Sequence, residues 1–175
     1  MRTLKGAVMI RDATPADYAS LAEVYNHYIV ETVVTFEVTP ISPDEMGRRV
    51  EGVAAGHPWI VLQTDHGVQG YAYARPWHER AAYRHTLETS VYLAPDARGQ
   101  GHGTRLYGEL FRRLAPIAPH VLIAGVTLPN EASVALHEKL GYVKSAHFRE
   151  VGRKFDRWLD VGYWQKTLSN ATEHA

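Results

Sequence analysis

The chain contains three closely spaced glycines between a segment typical of a β-strand and a segment typical of an amphipathic helix. Before the loop, Val91, Tyr92 and Leu93 have the β-branched, aromatic and aliphatic character of a strand. After it, apolar residues recur at helical spacing: Leu106, Tyr107, Leu110, Phe111 and Leu114. Because a helix N-terminus has unpaired N–H groups and a positive dipole end, this arrangement predicts a phosphate-binding loop.

The residues around Gly99, Gly101 and Gly103 exclude two common phosphate-binding loops. The mononucleotide loop requires lysine between glycine and serine or threonine, whereas Gly103 is followed directly by Thr104. The dinucleotide loop requires glycine at position 104 and an acidic residue near 122–126, and both are absent. The remaining pattern, R-x-x-G-x-G from Arg98 onward, resembles the acyl-CoA pyrophosphate loop of the GCN5-related N-acetyltransferases (GNAT). The alternative is a glycine-rich turn without a ligand.

A second motif lies between positions 130 and 142. Asn130, Ser133 and His137 are spaced i, i+3 and i+7, which places them along one side of a short helix. Asparagine is a preferred N-cap residue, so all three residues can be ordinary helix residues. Together with the phosphate loop, however, Asn-x-x-Ser followed by Leu-Gly-Tyr resembles the acetyltransferase segment that lines the pantetheine arm and the thiol.

Motifs from position 9 to about position 168 together resemble the phosphinothricin N-acetyltransferase family. They include Tyr25-Asn26-His27-Tyr28, Thr35-Phe36, Tyr71-Ala72-Tyr73-Ala74, Pro76-Trp77, Glu88-Thr89-Ser90-Val91-Tyr92, Leu128-Pro129-Asn130 and Trp158-Leu159-Asp160-Val161-Gly162-Tyr163. The resemblance implies an α/β (α+β) fold of the GNAT acyl-CoA N-acyltransferase type, with a mixed twisted sheet of about seven strands flanked by about four helices. It also implies a homodimer.

Hydrophobic patterning agrees with a mixed α and β chain. Strands are predicted near 8–11, 59–63, 68–73, 85–93, 122–126, 143–151 and 157–168. Helices are predicted over 15–28 and 42–56, after the glycine-rich loop, and over 130–139. We expect residues 1–8 to form a flexible N-terminal extension, 9–168 one N-acetyltransferase domain, and 169–175 a frayed tail.

The amino-acid composition limits the kinds of site and partner that can be expected. The absence of cysteine excludes disulfides, thiolate metal ligands and a cysteine-acyl intermediate. The ten histidines are scattered without an H-E-x-x-H motif, so we expect no metal. A formal net charge of zero gives no reason to expect nucleic-acid or membrane partners. No secretory signal is recognisable, and a cytoplasmic location is expected.

Amine acetylation requires a base, and Glu88 is the only acidic residue in the strand that leads to the loop. The proposed general base of the family falls at this position. We expect burial near Tyr83, Tyr92 and Val91 to let Glu88 take up a proton at neutral pH; the alternative is a surface glutamate.

The resemblance also implies how the acetyl donor is held. A backbone N–H within 91–93 is expected to polarise the thioester carbonyl. Ser133 or His137 is expected to protonate the departing thiolate, unless it leaves unprotonated. Without cysteine, direct transfer in a ternary complex is expected. The residues expected to bind acetyl-CoA are Val91, Tyr92, Leu93, Arg98, Gly99, Gln100, Gly101, His102, Gly103, Thr104, Asn130, Ser133 and His137.

The substrate is expected to be a small amino-acid-like amine. Arginines would hold its carboxylate and aromatic residues would form a wall. Position 78 is histidine where herbicide-detoxifying relatives carry lysine, which favours methionine sulfoximine or methionine sulfone over phosphinothricin. The residues expected to bind the substrate are Phe36, Arg75, Trp77, His78, Arg80, Tyr83 and Tyr92.

Two other functions remain open. The same fold can acetylate a polyamine, an aminoglycoside or a protein N-terminus, although a polyamine pocket should be acidic and the stretch 75–84 holds three arginines against Glu79. A non-catalytic acyl-CoA-binding regulatory domain is the third possibility. Glu88 and Asn130 argue against it.

Overall fold

A computed structural model of the protein describes residues 7–168. Residues 1–6 of the expected N-terminal extension and the expected tail 169–175 lie outside the described residues. The helices are α1 Tyr18–Glu31, α2 Pro43–Ala54, α3 His102–Leu114 and α4 Glu131–Lys139. The strands are β1 Met9–Asp12, β2 Trp59–Thr64, β3 Gly67–Pro76, β4 Thr86–Leu93, β5 Val121–Leu128, β6 Val143–Lys154 and β7 Arg157–Thr167.

All seven described strands form one sheet in the order β1-β2-β3-β4-β5-β7-β6. Neighbouring strands are antiparallel except β4 and β5, which are parallel and joined through α3. The predicted mixed sheet with four helices is confirmed, and the predicted strands and helices are found with small shifts at their ends.

The parallel strands β4 and β5 pair over only three residues, from Thr86 with Val121 to Glu88 with Ile123. Beyond Glu88 they separate, while β4 stays paired with β3 and β5 stays paired with β7. Gly125 is exposed in the middle of an otherwise largely buried β5. The sheet therefore has an opening in its centre, immediately before the glycine-rich loop.

Each face of the sheet carries its own apolar core. On one face α3 packs through Leu106, Tyr107 and Leu110, which are fully buried. On the other face α1 and α2 pack through Leu21 and Met46. The apolar run of β5 contributes to the first of these cores through Leu122, Ala124 and Val126. Within residues 7–168, no helix has the length and apolar character needed to cross a membrane.

The loop between α1 and α2 is held over the sheet by a buried lysine. Lys154, at the end of β6, is 3% exposed, and its Nζ donates to the carbonyl oxygen of Thr35 at 2.8 Å. Burial lowers the pKa of Lys154, and the carboxylate of Glu37 acts in the opposite direction. The hairpin of β6 and β7 thereby fixes the loop that carries Thr35 and Glu37.

The start of α1 is fixed by an ion pair with the first strand. A 3₁₀ turn over Pro15–Asp17 precedes α1, and Arg11 of β1 donates to both carboxylate oxygens of Asp17 at 2.7 and 2.8 Å. The backbone N–H of Thr14 donates to Asp17 Oδ2 at 2.8 Å. The hydrogen bonds from Arg11, followed by those from Thr14, lower the pKa of Asp17 to about 2, although burial acts to raise it.

This ion pair makes stability depend on acid pH. The folded-state pKa of Asp17 lies below its ordinary value of 3.8, so its stabilisation is present above that value and is lost as pH falls toward about 2. Asp17→Asn should cost about 2 kcal/mol of unfolding free energy at pH 7, and the difference from wild type should fade between pH 4 and pH 2. Urea unfolding at a series of pH values measures this difference.

The matched control is Asp44→Asn, which changes an exposed acid in the first turn of α2. It should cost only about 0.5 kcal/mol, as expected for a surface charge at a helix N-terminus. A difference between Asp17→Asn and wild type that stays constant from pH 7 to pH 2 would contradict the role given to the Arg11 pair.

Candidate active site

A cleft enters the sheet opening from the α3 and α4 side. Its volume is about 380 Å³. The residues that line it are Tyr28, Val34, Val91, Leu93, Arg98, Gly99, Gly101, Gly103, Thr104, Asn130, Ala132, Ser133 and Leu136. Nine of the thirteen residues expected to bind acetyl-CoA are in this list.

The floor of the cleft is the glycine-rich loop. Gly99 and Gly101 have φ of +71° and +78°, a left-handed conformation that glycine adopts at low cost. Gly101 is the N-cap of α3, so the first N–H groups of that helix point toward the loop. A Cβ on Gly103 would lie 3.0 Å from the Leu136 side chain and would narrow the cleft. The Arg98 guanidinium lies over the Tyr28 ring, 4.9 Å from its centroid.

Gln100 and His102 are placed differently from the other loop residues. Their side chains line a separate cavity of about 860 Å³, together with Val8, Thr64 and Asp65. The side-chain amide of Gln100 donates to the carbonyl oxygen of Asp96 at 2.7 Å. Only the backbone of these two residues remains available for the predicted role in the loop.

The free edge of β4 presents one amide to the opening. Tyr28 Oη donates to the carbonyl oxygen of Leu93 at 2.7 Å and accepts from the Leu93 N–H at 3.2 Å, so the polar groups of Leu93 are directed away from β3. In an antiparallel pair the N–H and C=O of successive residues point to alternate sides. Of residues 91–93, it is therefore Val91 whose N–H faces the gap between β4 and β5.

A second cavity, of about 600 Å³, opens on the α1 and α2 side of the sheet. Its charged lining consists of Arg48, Arg49 and Arg75 with Glu37 and Glu88. The lining of this cavity thus has one more cationic side chain than anionic side chains. Its aromatic lining is made by Tyr25, Trp59, Tyr71, Tyr73 and Tyr92.

The expectation that Glu88 is buried among apolar side chains is wrong. Its side chain is 20% exposed and is not enclosed by apolar groups, because Arg75 lies directly opposite on β3. Arg75 donates to Glu88 Oε2 from Nη2 at 2.7 Å and from Nε at 2.8 Å. Cross-strand register, which the sequence does not display, brings the two charges together.

A small space connects the cleft and the second cavity. It shares Ser90, Tyr92 and Gly125 with the second cavity. It shares Val34, Val91, Asn130 and Ser133 with the cleft. Glu88 on one face and the glycine-rich loop on the other are thereby linked through the gap between β4 and β5.

Tyr107 and His137 form a buried polar pair at this junction. His137 Nδ1 lies 2.7 Å from the carbonyl oxygen of Ser133, which can only accept, so Nδ1 carries the proton. Nε2 therefore accepts from Tyr107 Oη at 2.7 Å. Burial lowers the pKa of His137 and raises that of Tyr107 well above its ordinary value. Both groups are neutral near pH 7.

Ser133 lines both the cleft and the junction, whereas His137 lines the junction and not the cleft. Ser133 Oγ lies 3.4 Å from His137 Nδ1. The helix cap is also present, with Asn130 Oδ1 accepting from the Ser133 N–H at 3.1 Å. Tyr107 was identified from the sequence only as part of an apolar helix stripe, because periodicity does not show where a hydroxyl points.

The residues expected to bind the substrate do not line a single cavity. Arg75 and Tyr92 line the second cavity, whereas Trp77, His78 and Arg80 line a shallow neighbouring cavity that shares Arg75. The Tyr83 ring packs against the rings of Trp77 and His78, at 5.3 and 5.1 Å between centroids. Phe36 lies over Gly152 of β6 and lines neither cavity.

The opened pair of parallel strands thus lies between a glycine-rich helix N-terminus and the carboxylate of Glu88. The acetyltransferase (GNAT) domain model matches residues 10–162. The chain belongs to this family and is an N-acetyltransferase.

Individual relatives agree with the family. The chain is 38% identical to a phosphinothricin N-acetyltransferase of Streptomyces viridochromogenes, covering 91% of this chain and 87% of the relative. It is 35% identical to a methionine sulfoximine/methionine sulfone acetyltransferase of Salmonella typhimurium, covering 95% and 96%. A phosphinothricin acetyltransferase of Sinorhizobium meliloti, solved with acetyl-CoA, superposes with a TM-score of 0.90 at 37% identity, covering 94% of this chain and 90% of that one.

The geometry of the loop predicts a selective loss of acetyl-CoA binding. Gly101→Ala places a Cβ on a residue with φ of +78°, which strains the backbone and turns the N–H groups of the loop. Acetyl-CoA affinity, measured by calorimetry, should fall about tenfold.

Gly108→Ala is the matched control, because Gly108 lies inside α3 and a Cβ there meets no atom of residues 7–168 within 4 Å. It should leave acetyl-CoA affinity unchanged and raise the melting temperature, since alanine favours helix over glycine by about 1 kcal/mol. Equal affinities for wild type and Gly101→Ala would remove the loop from the binding site.

Proposed function

We propose that the protein transfers the acetyl group of acetyl-CoA to the primary amine of a small amino-acid-like substrate of the phosphinothricin, methionine sulfoximine or methionine sulfone type. One observation carries this proposal: the acyl-CoA cleft and the cavity with Glu88 meet at a single opening between β4 and β5. The names of the curated relatives support this class of substrate.

The cleft has the features that acetyl-CoA requires. The backbone N–H groups at the start of α3, with Arg98, suit the negatively charged pyrophosphate. Gly103 lies close to the Leu136 side chain, so a larger residue at position 103 would fill space that the cofactor needs. Asn130 and Ser133 are placed to line the pantetheine arm. Acetyl-CoA supplies the thioester carbon to which the amine nitrogen bonds, and its sulfur departs as a thiol.

The chain's own residues then move the protons. Glu88 takes a proton from the substrate ammonium, so that the nitrogen lone pair can form the N–C bond. The Val91 N–H donates to the carbonyl oxygen as it gains negative charge. The C–S bond breaks, Ser133 Oγ donates a proton to the sulfur, and Ser133 regains a proton from the nitrogen, which loses its second proton as it becomes the amide. Glu88 releases the first proton to solvent, to which its side chain is partly exposed. His137 holds Ser133 and Tyr107 in place rather than acting as the acid.

The charges of the second cavity favour an anionic substrate. Three arginines against two glutamates suit an amino acid and disfavour a polyamine. Arg80 and His78 lie beyond Arg75, where they would meet the far end of a substrate. Histidine at position 78 favours the uncharged tails of methionine sulfoximine and methionine sulfone.

We also propose a homodimer in the cytoplasm. Strand β6 lies at the edge of the sheet, and Phe148, Val151, Phe155 and Trp158 on its hairpin are 50–61% exposed. Apolar side chains grouped on an edge suit contact with another protein surface. The cytoplasm is where acetyl-CoA is available to such an enzyme.

A thiol-release assay tests the proposed function. Acetyl-CoA is combined in turn with phosphinothricin, methionine sulfoximine, methionine sulfone and spermidine. Turnover is expected with the sulfoximine and the sulfone and not with spermidine. If acetyl-CoA binds but none of the three amino-acid-like amines is acetylated, the proposed function is wrong.

Glu88→Gln tests the base. This change should lower kcat by about a hundredfold, the ordinary contribution of a general base, and leave acetyl-CoA affinity unchanged. Glu51→Gln is the control, because Glu51 lies on α2 outside the three connected spaces. A Glu88→Gln variant that loses rate and acetyl-CoA affinity to the same extent would show that Glu88 is structural.

Ser133→Ala tests the proton donor. Loss of one hydrogen bond to the leaving sulfur should lower kcat about tenfold while acetyl-CoA affinity changes little. The kcat and the calorimetric affinity are measured together. An unchanged kcat would return the role to His137 or to an unprotonated leaving thiolate.

A further inference from the structure

Arg75 binds Glu88 through only one of the two carboxylate oxygens. Both its Nη2 and its Nε donate to Oε2. The guanidinium fork pairs best with two oxygens of one carboxylate, through two parallel N–H···O bonds. The two side chains are in close contact, but Arg75 does not form the bidentate geometry with two carboxylate oxygens that a guanidinium prefers.

The second arginine–glutamate pair of the same cavity shows the contrast. Arg49 donates to both oxygens of Glu37, at 2.6 and 3.2 Å, and also to Glu45 at 2.8 Å. Tyr25 Oη donates to Glu37 Oε1 at 2.9 Å. Arg49 is thus committed to two carboxylates, whereas Arg75 can exchange its partner.

We propose that Arg75 holds the catalytic base Glu88 in an inactive ion pair, and that the carboxylate of an amino-acid substrate releases the base by taking over Arg75. This inference rests on the proposed function and extends it to substrate selection. The reaction itself is unchanged: the released carboxylate of Glu88 accepts the proton of the substrate ammonium.

Burial decides which partner moves. The Arg75 side chain is 52% exposed, whereas that of Glu88 is 20% exposed. Arg75 also lines both the second cavity and the shallow cavity beside it. The arginine can therefore turn toward an incoming anion while the glutamate stays beside the opening in the sheet.

The exchange couples binding to catalysis for one class of amine. An α-amino acid carries its carboxylate and its amine on the same carbon, so a carboxylate on Arg75 places the amine within reach of Glu88. An amine without that carboxylate meets a base that is still paired with Arg75. The carboxylate should consequently raise kcat as well as lower KM.

The test compares methionine sulfone with 3-(methylsulfonyl)propylamine, which is the same molecule without the carboxylate. For wild type, kcat should be about tenfold higher for methionine sulfone. In Arg75→Gln the base is free, so kcat for the propylamine should rise above its wild-type value. The KM of methionine sulfone should rise about tenfold in that variant, because the anchor is lost.

Three variants make the outcome decisive. Arg112→Gln breaks an exposed ion pair with Glu109 on α3 and should keep the wild-type ratio of the two kcat values. Arg75→Lys keeps the charge without the fork and should give an intermediate ratio, which covers a failure of Arg75→Gln to fold. Glu88→Gln should bring the ratio close to one. Differences in amine basicity cancel because the same two amines are compared in every variant.

Failure of the release mechanism and failure of the proposed function give different results. Equal kcat values for the two amines in wild type, or a lower kcat for the propylamine in Arg75→Gln than in wild type, would overturn the release of Glu88. If wild type acetylates neither amine nor any amine of the thiol-release panel, the proposed function falls, and this inference falls with it.

Discussion

The separation of two parallel strands is the constraint on which the rest of the structure depends. β4 and β5 hydrogen-bond over three residue pairs and then part, and the polar backbone of β4 must find other partners. Tyr28 from α1 supplies them at Leu93. The N–H of Val91 is left facing the gap, where a substrate carbonyl can use it. The open side of β4 is therefore stabilised at Leu93 by the Tyr28 side chain of α1.

The same short strand organises both halves of the chemistry. Glu88 lies at the last position where β4 pairs with β5, and the glycine-rich loop begins just beyond the end of β4. The donor cleft and the amine cavity lie on opposite faces of the sheet and meet only through the gap. This placement agrees with the proposed direct transfer between two bound substrates, and the absence of cysteine excludes a cysteine-acyl intermediate.

The sequence could predict those features that depend on residues close to one another in the chain. The glycine-rich loop, the amphipathic α3 and the Asn130 cap depend on neighbours in the chain, and all three are found as predicted. The Arg75–Glu88 pair depends on the register between β3 and β4, which periodicity does not fix. Tyr28 and Tyr107 were placed in apolar helix stripes, since spacing shows which face is buried but not which hydrogen bond a hydroxyl makes. The division of the expected substrate-binding residues between cavities has the same origin, because it depends on how the segment after β3 folds back.

Initial-rate kinetics with both substrates varied test the central claim most directly. If the gap between β4 and β5 brings acetyl-CoA and the amine together for direct transfer, double-reciprocal plots at several fixed concentrations of the second substrate intersect. Parallel lines would show that the acetyl group first moves onto the protein, and would contradict the account of the opened sheet as the meeting place of two bound substrates.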